Sequence, residues 1–401
     1  MHTSKRVSLA HLAILILLFN ANLAWAIELT GNVGAEFQHF YKSPVRSDQK
    51  SNNVSVSAEA ELYYPFPDSK DSITFTPFAR IDQNDSERSH VDIRELKYHT
   101  VHANWELRVG IDSVFWGVTE TSHLVNIINQ IDMVESSSGE DLLGQPMVLL
   151  TLVRDWGYVD MFLLPGFRER TFPGRDGRPG SRVLVDNENA VYESGAEEKH
   201  IDFAMRWSHT IGPWDLGVAH FYGTSREPRF DPLVSKVNPY GETVLIPIYD
   251  IINQTSVDIQ ATFESWLLKL EAISRSGQGD PFFAAVSGFE YTFPDIASLG
   301  VDVGIISEYL YDERDFQPMN NDLALGVRLS LNDMQSTELV AAIIQDVENR
   351  SRSFYLEASR RMGDSYKVSI EMRGVGNVAP NDPLSEIEAD ALIMIELGRY
   401  F

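Results

Sequence analysis

The chain has 401 residues, no cysteine, and 33 Lys and Arg against 58 Asp and Glu, which gives a formal net charge of −25. Such an acidic chain lacks the basic face that a nucleic-acid-binding protein needs. The absence of cysteine excludes a disulfide scaffold, thiol chemistry and Cys-ligated metal sites. Only the first residues form a long apolar run, so a bundle of membrane-spanning helices, each about 20 apolar residues long, is excluded as well.

Residues 1–26 have the parts of a secretory signal peptide. Lys5 and Arg6 precede the apolar run 7–19, and an Ala-Trp-Ala sequence that a signal peptidase would cut ends at Ala26. An apolar core of roughly 13 residues is short for a bilayer of about 30 Å, which favours a cleaved signal over a retained anchor. We therefore expect a mature chain with 31 basic and 58 acidic residues, net −27, that folds outside the cytoplasm as a single domain, 27–401.

Apolar and polar residues alternate along nearly all of the mature chain. In 54–64 the even positions are Val, Val, Ala, Ala, Leu and Tyr, while Ser and Glu fill most odd positions. The segments 323–331 and 366–373 repeat this pattern. A period of two indicates β-strands with one apolar and one polar face. We count about eighteen such segments of roughly nine to twelve residues, with 16 as the alternative count.

The connections between these segments alternate in length, and this alternation predicts the fold. Short turns on one rim and long loops on the other are typical of a transmembrane antiparallel up-and-down β-barrel, an all-β fold with an even strand number and both termini on the short-turn rim. A sheet in hydrocarbon must close, because every unpaired backbone group there is costly. The short gaps are 65–71, 100–104, 155–158, 211–215, 264–266, 294–298, 332–337 and 361–365, and the long gaps are 42–52, 82–90, 113–146, 165–199, 224–253, 276–281, 312–322, 346–353 and 374–388.

The last segment has an apolar face that includes Ile393, Ile395 and Leu397, and the chain ends at Phe401. In this feature the sequence resembles the Gram-negative outer-membrane β-barrel proteins, whose last strand typically ends in an aromatic residue. The resemblance implies a place in the cell outer membrane, contact with its lipid and lipopolysaccharide, and recognition of the C-terminal strand by the barrel-assembly machinery. A homo-trimer is a further expectation.

A barrel of 16 to 18 strands is wide enough to hold an aqueous channel, whereas a barrel of eight strands fills with its own side chains. The polar faces of the segments would then form the wall of the pore. Seven arginines lie on faces that we assign to the interior, beside many carboxylates. These candidate pore-lining arginines are Arg80, Arg94, Arg108, Arg206, Arg275, Arg328 and Arg373.

The connection 113–146 is the third long loop and carries an apolar patch of helical character at 124–131. It is similar to the third loop of the general porin family, which folds into the barrel and narrows it. The resemblance implies that this segment is a constriction loop. Its acidic residues would face the wall arginines and produce a transverse field across the pore. These residues are Glu120, Asp132, Glu135, Glu140 and Asp141.

A closer resemblance rests on Trp116-Gly117 followed by 126–132, and on the stretch from Tyr249-Asp250 to 266–272. These motifs are similar to those of a proteobacterial porin-like family known only by a domain-of-unknown-function label. The resemblance to that family implies no particular substrate.

The sequence has no G-x-S-x-G, H-E-x-x-H or P-loop motif, so we expect neither an enzyme nor a cofactor, and we assign no metal site. We expect a porin that passes small hydrophilic solutes passively, with a cation preference suggested by the acidic excess. Two alternatives stay open. A barrel that exports a polymer or lipid would need a periplasmic partner, and a barrel-embedded hydrolase would lose activity on replacement of a His or acidic residue.

Overall fold

The computed structural model describes residues 27–135, 139–180, 183–238, 240–315, 317–379 and 382–401. The predicted signal peptide, 1–26, lies outside the described residues. Within them, no helix is long and apolar enough to span a membrane.

Eighteen antiparallel strands form one closed sheet in which each strand pairs with its neighbours along the chain. The strand count of eighteen and the up-and-down order are therefore confirmed, and the alternative of 16 is wrong. The barrel strands are β1 (Glu28–Phe40), β2 (Asn52–Pro65), β3 (Asp71–Asp82), β4 (Val91–Val101), β5 (Trp105–Asp112), β6 (Gln145–Arg154), β7 (Gly157–Pro165), β10 (Ile201–Ile211), β11 (Trp214–Thr224), β14 (Ile251–Phe263), β15 (Trp266–Ser276), β16 (Phe282–Phe293), β17 (Asp302–Asp312), β18 (Asn321–Ser330), β19 (Glu338–Asp346), β20 (Arg352–Met362), β21 (Tyr366–Gly376) and β22 (Leu392–Tyr400).

The first and last strands close the barrel. β1 and β22 pair from Asn32 opposite Tyr400 to Phe40 opposite Leu392. Gly31 and Phe401 extend this pairing, since each donates its N–H to the carbonyl oxygen of the other, at 3.1 and 3.0 Å. Closure leaves no free edge in this sheet, which is the condition for a sheet to stand in hydrocarbon.

The apolar faces of the strands point outward. In β2, Val54 and Val56 are 46 % and 49 % exposed, whereas Ser55 and Ser57 between them are 1 % and 6 % exposed. A water-soluble sandwich would bury the valines and expose the serines. The reverse arrangement is that of a barrel that has lipid outside and polar side chains inside.

Short turns and long loops occupy opposite rims, as predicted. Aromatic side chains gather at the short-turn rim, where Trp214 packs edge-on against Phe263 at 5.6 Å and Trp266 packs against Tyr291 at 4.6 Å. Amphipathic rings of this kind suit a membrane interface.

The long loops contain a second, smaller sheet, which the sequence analysis treats as loops at 165–199 and 224–253. β12 and β13 form an antiparallel hairpin, and β13 also pairs in parallel with the very short β8 and β9. Strands of two residues carry no alternation that a sequence can reveal, and their partner lies in another loop. The four strands are β8 (Leu184–Val185), β9 (Val191–Tyr192), β12 (Arg229–Val237) and β13 (Thr243–Tyr249).

The helical character predicted for 124–131 is wrong, because this stretch forms turns. The side chain of Asn126 accepts the N–H of Trp116 at 2.7 Å, and the side chain of Asn129 accepts the N–H of Val114 at 2.9 Å. Such bonds from asparagine to the backbone compete with the regular bonding of a helix.

Candidate functional site

The described residues of the segment between β5 and β6, 113–135 and 139–144, lie inside the barrel. Val125, Ile127 and Ile128 are fully or almost fully buried. Burial of each such side chain stabilises the packed position by about 1.5 to 3 kcal/mol. They belong to one cluster with inward-facing wall residues of β6, β7, β10, β11 and β14 to β16, which are Met147, Leu149, Phe162, Leu164, Ala204, Ala219, Phe221, Ile252, Ile273, Phe282 and Ala284.

This contact explains why β6 is apolar on both faces. Met147 and Leu149 point inward and pack against the segment, while the alternate residues of the strand face outward. The register of β6, which alternation leaves open, is given by the pairing of Asp112 with Gln145.

Glu271 of β15 holds the start of the segment through its backbone. One of its carboxylate oxygens accepts the N–H of Val118 at 2.6 Å and both the N–H and hydroxyl of Thr119 at 3.0 and 2.8 Å. The other accepts the N–H of Val125 at 3.2 Å. The Glu271 side chain is 0 % exposed, so these donors have no water to replace it.

Glu308 of β17 holds the next residues in the same manner. Its two oxygens accept the N–H groups of Glu120 and Thr121 at 2.8 and 2.9 Å. The carboxylate of Glu120 then pairs with Arg328 of β18 at 2.7 Å, and Lys269 lies 3.6 Å away. The segment therefore crosses the lumen from β5 to β18.

A second group of charges holds the segment at Val134 and Glu135. Arg80 of β3 donates from Nε and Nη2 to Glu135 at 3.0 and 2.8 Å, and from Nη1 to Glu36 at 3.3 Å. Arg88 pairs with Glu36 at 2.7 Å and donates to the carbonyl oxygen of Val134 at 2.8 Å. Opposite charges that are buried with their hydrogen bonds satisfied fix one arrangement of the chain.

Asp132 links three parts of the structure. Its carboxylate pairs with Arg94 of β4 at 2.8 Å and accepts the hydroxyl of Thr171 at 2.8 Å. Thr171 belongs to the loop after β7, so the inserted segment also supports an outer loop.

Of the other predicted arginines, Arg108 pairs with Asp112 of its own strand at 3.4 Å, and Arg206 pairs with Asp258 on the wall at 2.6 Å. Neither meets an acid of the inserted segment. Arg275 donates to Glu227 of an outer loop at 2.8 Å. Three of the five segment acids are thus neutralised in ion pairs with Arg80, Arg94 and Arg328, and they anchor the segment.

The remaining two predicted acids line an open space, which we call the acidic cavity. Its volume is about 200 Å³. Seven of its lining residues are carboxylic acids and two are arginines. Burial, reinforced by the nearby carboxylate of Glu135, raises the pKa of Asp141 to about 6. The cavity is lined by Glu36, Arg80, Glu135, Glu140, Asp141, Glu357, Glu371, Arg373, Met394 and Glu396.

Two further cavities lie toward the long-loop rim. The middle cavity, of about 280 Å³, has mixed lining that includes Tyr355, Phe354 and Met133, and it shares Glu140, Glu357 and Arg373 with the acidic cavity. The outer cavity, of about 360 Å³, shares Glu120, Thr121, Glu140 and Met319 with the middle cavity. The three cavities therefore adjoin, and Glu140 lines all of them.

Sequence reasoning missed several charged residues of this site. Arg88, Arg170, Arg226, Glu227 and Arg314 lie in stretches treated as loops, and no motif or alternation marks them. Among the residues that the structure describes, no group of His, Asp or Glu side chains is arranged to hold a metal ion.

Comparison with known proteins supports the fold alone. No family model and no curated protein sequence matches the chain, so the likeness to a porin-like family of unknown function stays a prediction. The solved structure of Wzi from Escherichia coli, described as an outer-membrane protein involved in group 1 capsule assembly and a carbohydrate-binding β-barrel, is 9 % identical, with 91 % of this chain and 83 % of that chain covered and a TM-score of 0.51. This chain has the fold of outer-membrane β-barrels.

A mutant of Rhodopseudomonas blastica porin is also similar. It is 11 % identical, with 94 % of this chain and 100 % of that chain covered and a TM-score of 0.46. We draw no argument from a similarity at this level.

Proposed function

We propose that the protein is an outer-membrane channel through which small hydrophilic solutes diffuse passively. The observation that carries this proposal is the series of three adjoining cavities between the inserted segment and the wall, which leads from the outer loops to the middle of the barrel. The apolar cluster fills the part of the lumen beside β6, β7, β10 and β11 and borders the outer cavity at Ile127 and Ile273, so the segment narrows the route.

The acidic cavity supports a preference for cations. Seven carboxylic acids line this cavity, and among the described residues the arginines that pair with them are Arg80, Arg88 and Arg373, so the excess of acids gives this part of the route a negative potential. Rings of acids select cations in channels. Charges in a confined space with low-dielectric walls act more strongly on a passing ion than charges on open loops.

The size of the cavities favours a small solute over a polymer. Volumes of about 200 to 360 Å³ suit one solute molecule of modest size. Wzi, described as a carbohydrate-binding β-barrel involved in capsule assembly, shares the fold with this chain at 9 % identity. A polymer export role would require the inserted segment to leave the lumen, against the ion pairs and hydrogen bonds that hold it.

Conductance in planar lipid bilayers tests the proposal. With the mature barrel under a KCl gradient, we expect discrete current steps and a reversal potential displaced toward the K⁺ equilibrium potential. Glu140→Gln should lower the ratio of K⁺ to Cl⁻ permeability. The control Glu338→Gln changes an exposed acid at the short-turn rim and should leave the ratio unchanged. A folded barrel that gives no steps would contradict the channel, and a reversal potential on the Cl⁻ side would contradict the cation preference.

A further inference from the structure

The outer cavity has a basic end. Four arginines line it: Arg170, Arg226, Arg275 and Arg314. None of the four lines the middle or the acidic cavity. They come from three different outer loops and from β15, so the fold brings them together from distant parts of the sequence.

The acids beside this end do not balance it. Glu227 is shared by Arg275 and Arg314, at 2.8 and 3.0 Å, and Asp312 pairs with Arg314 at 2.7 Å. Arg170 has no carboxylate within ion-pair distance among the described residues, and its guanidinium donates to the Gln130 side chain at 3.2 Å and to the backbone oxygen of Arg226 at 2.8 Å.

Arg226 is held by an ion pair and a backbone hydrogen bond, but one of its nitrogens has no acceptor among the described residues. Its Nη1 pairs with Asp202 at 2.6 Å, and its Nε donates to the carbonyl oxygen of Ile128 at 3.1 Å. The side chain is 4 % exposed, and within the described residues Nη2 has no hydrogen-bond partner. Burial lowers the pKa of the Arg170 and Arg226 guanidiniums, as expected where cations are not fully compensated. Among the described residues the acids paired with this group of four arginines are Asp202, Glu227 and Asp312, so the group keeps a positive excess that favours a carboxylate ligand.

The end of the outer cavity that adjoins the middle cavity is acidic, and part of the lining is apolar. Glu120 and Glu140 lie where the outer cavity meets the middle cavity, because they line both. Leu124, Ile127 and Ile273 supply apolar lining of the outer cavity. Glu120 pairs with Arg328, and Glu140 also lines the acidic cavity.

This combination of basic, apolar and acidic lining points to one class of ligand. We propose that the outer cavity is a binding site for a short apolar peptide in its zwitterionic form, with the C-terminal carboxylate at the arginines, the side chains on the isoleucines and leucine, and the ammonium group toward Glu140. This inference rests on the proposed channel function and names its substrate class. In this orientation the ammonium group points toward the acidic cavity. The bound peptide would therefore present its positive end to the part of the route for which we propose a cation preference.

Three dipeptides that share one apolar body test the proposal on the unmodified barrel. Isothermal titration of the mature protein in detergent would compare leucylleucine with N-acetyl-leucylleucine, which lacks the ammonium group, and with leucylleucinamide, which lacks the carboxylate. We expect leucylleucine to bind at least about tenfold more tightly than either, because each analogue lacks one of the two charge-assisted contacts. Equal affinities for the three, or no measurable binding of leucylleucine, would overturn the proposal.

Two variants then assign the carboxylate to the arginines. Arg314→Gln and Arg170→Gln should each reduce the preference for leucylleucine over leucylleucinamide to below about threefold. Arg229→Gln is the matched control, since Arg229 is an outer-loop arginine that pairs with Asp250 at 3.0 Å and does not line the cavity. Circular dichroism would verify that each variant is folded. An unchanged preference in both cavity variants would refute this site.

The channel and the peptide site can fail separately. Current steps without peptide binding would refute the inference and leave the channel intact. Peptide binding to a barrel that conducts no ions would support the site and refute the channel function.

Discussion

Arg80 of β3 and Glu135 of the inserted segment form a two-pronged ion pair in the barrel interior, with Nε and Nη2 at 3.0 and 2.8 Å from the carboxylate oxygens. Both side chains are more than nine-tenths buried. A buried pair of this geometry is costly to break, because the partner that remains is a desolvated charge. The inserted segment is therefore part of the folded barrel.

The first prediction concerns this pair. A double-mutant cycle of Arg80→Gln and Glu135→Gln should give a coupling free energy of about 1 to 3 kcal/mol, measured by urea unfolding. The exposed pair Arg360 and Asp333, 3.1 Å apart at the short-turn rim, serves as the control and should give a clearly smaller coupling free energy, because solvent screens exposed charges. Equal coupling free energies in the two cycles would show that the pair of Arg80 and Glu135 does not stabilise the position of the segment.

The second prediction concerns Glu271. In Glu271→Leu, the buried N–H groups of Val118, Thr119 and Val125 lose their acceptor. At about 1 to 3 kcal/mol for each unsatisfied group, the free energy of unfolding should fall by at least about 3 kcal/mol. The start of the segment should also loosen, which would appear as larger and noisier current steps. Quiet steps of normal size, together with normal stability, would contradict the role assigned to this carboxylate.

The third prediction follows from the pKa of Asp141, which burial raises to about 6. Above pH 6 this side chain is charged and attracts cations, and below pH 6 it is neutral. The ratio of K⁺ to Cl⁻ permeability should therefore fall between pH 7.5 and pH 5. In Asp141→Asn the ratio should start lower and change less over this range. A ratio that rises on acidification, or the same pH profile in both proteins, would contradict the assignment.

The fourth prediction concerns the size of the pore. Deletion of 119–140 removes four of the five segment acids, and it removes Val125, Ile127 and Ile128 from the apolar cluster. The single-channel conductance should increase severalfold, because the barrel of eighteen strands is wide. A short Gly-Ser linker in place of the segment would keep β5 and β6 connected. A step size equal to that of the intact barrel would show that the segment does not narrow the pore.

The barrel could be predicted from the sequence because each strand repeats one simple rule over many residues. Alternation places Val54 outside and Ser55 inside, and the even strand number follows from the rhythm of the connections. This alternation alone predicts that the seven arginines lie on the wall. The same rule gives the inward direction of Glu271 and Glu308 but does not say what they bind.

The rest of the site depends on contacts between distant parts of the chain. Arg170 and Arg314 belong to different outer loops, and no local pattern links either of them to the wall residue Arg275. The bonds of Asn126 and Asn129 to the backbone replace the helix that their apolar neighbours suggest. Arg80, Arg94 and Arg328 pair directly with acids of the segment. These charges therefore do not face each other across open space, as the expected transverse field requires.

The measurement that tests the central claim most directly places a single thiol at Glu140, which lines all three cavities. The chain has no cysteine, so Glu140→Cys carries the only reactive group, and Val56→Cys on the outer face of β2 is the matched control. A bulky thiol reagent added during a bilayer recording should block most of the current through Glu140→Cys and none through Val56→Cys. Full current after complete labelling of Glu140→Cys would show that ions do not pass along this route.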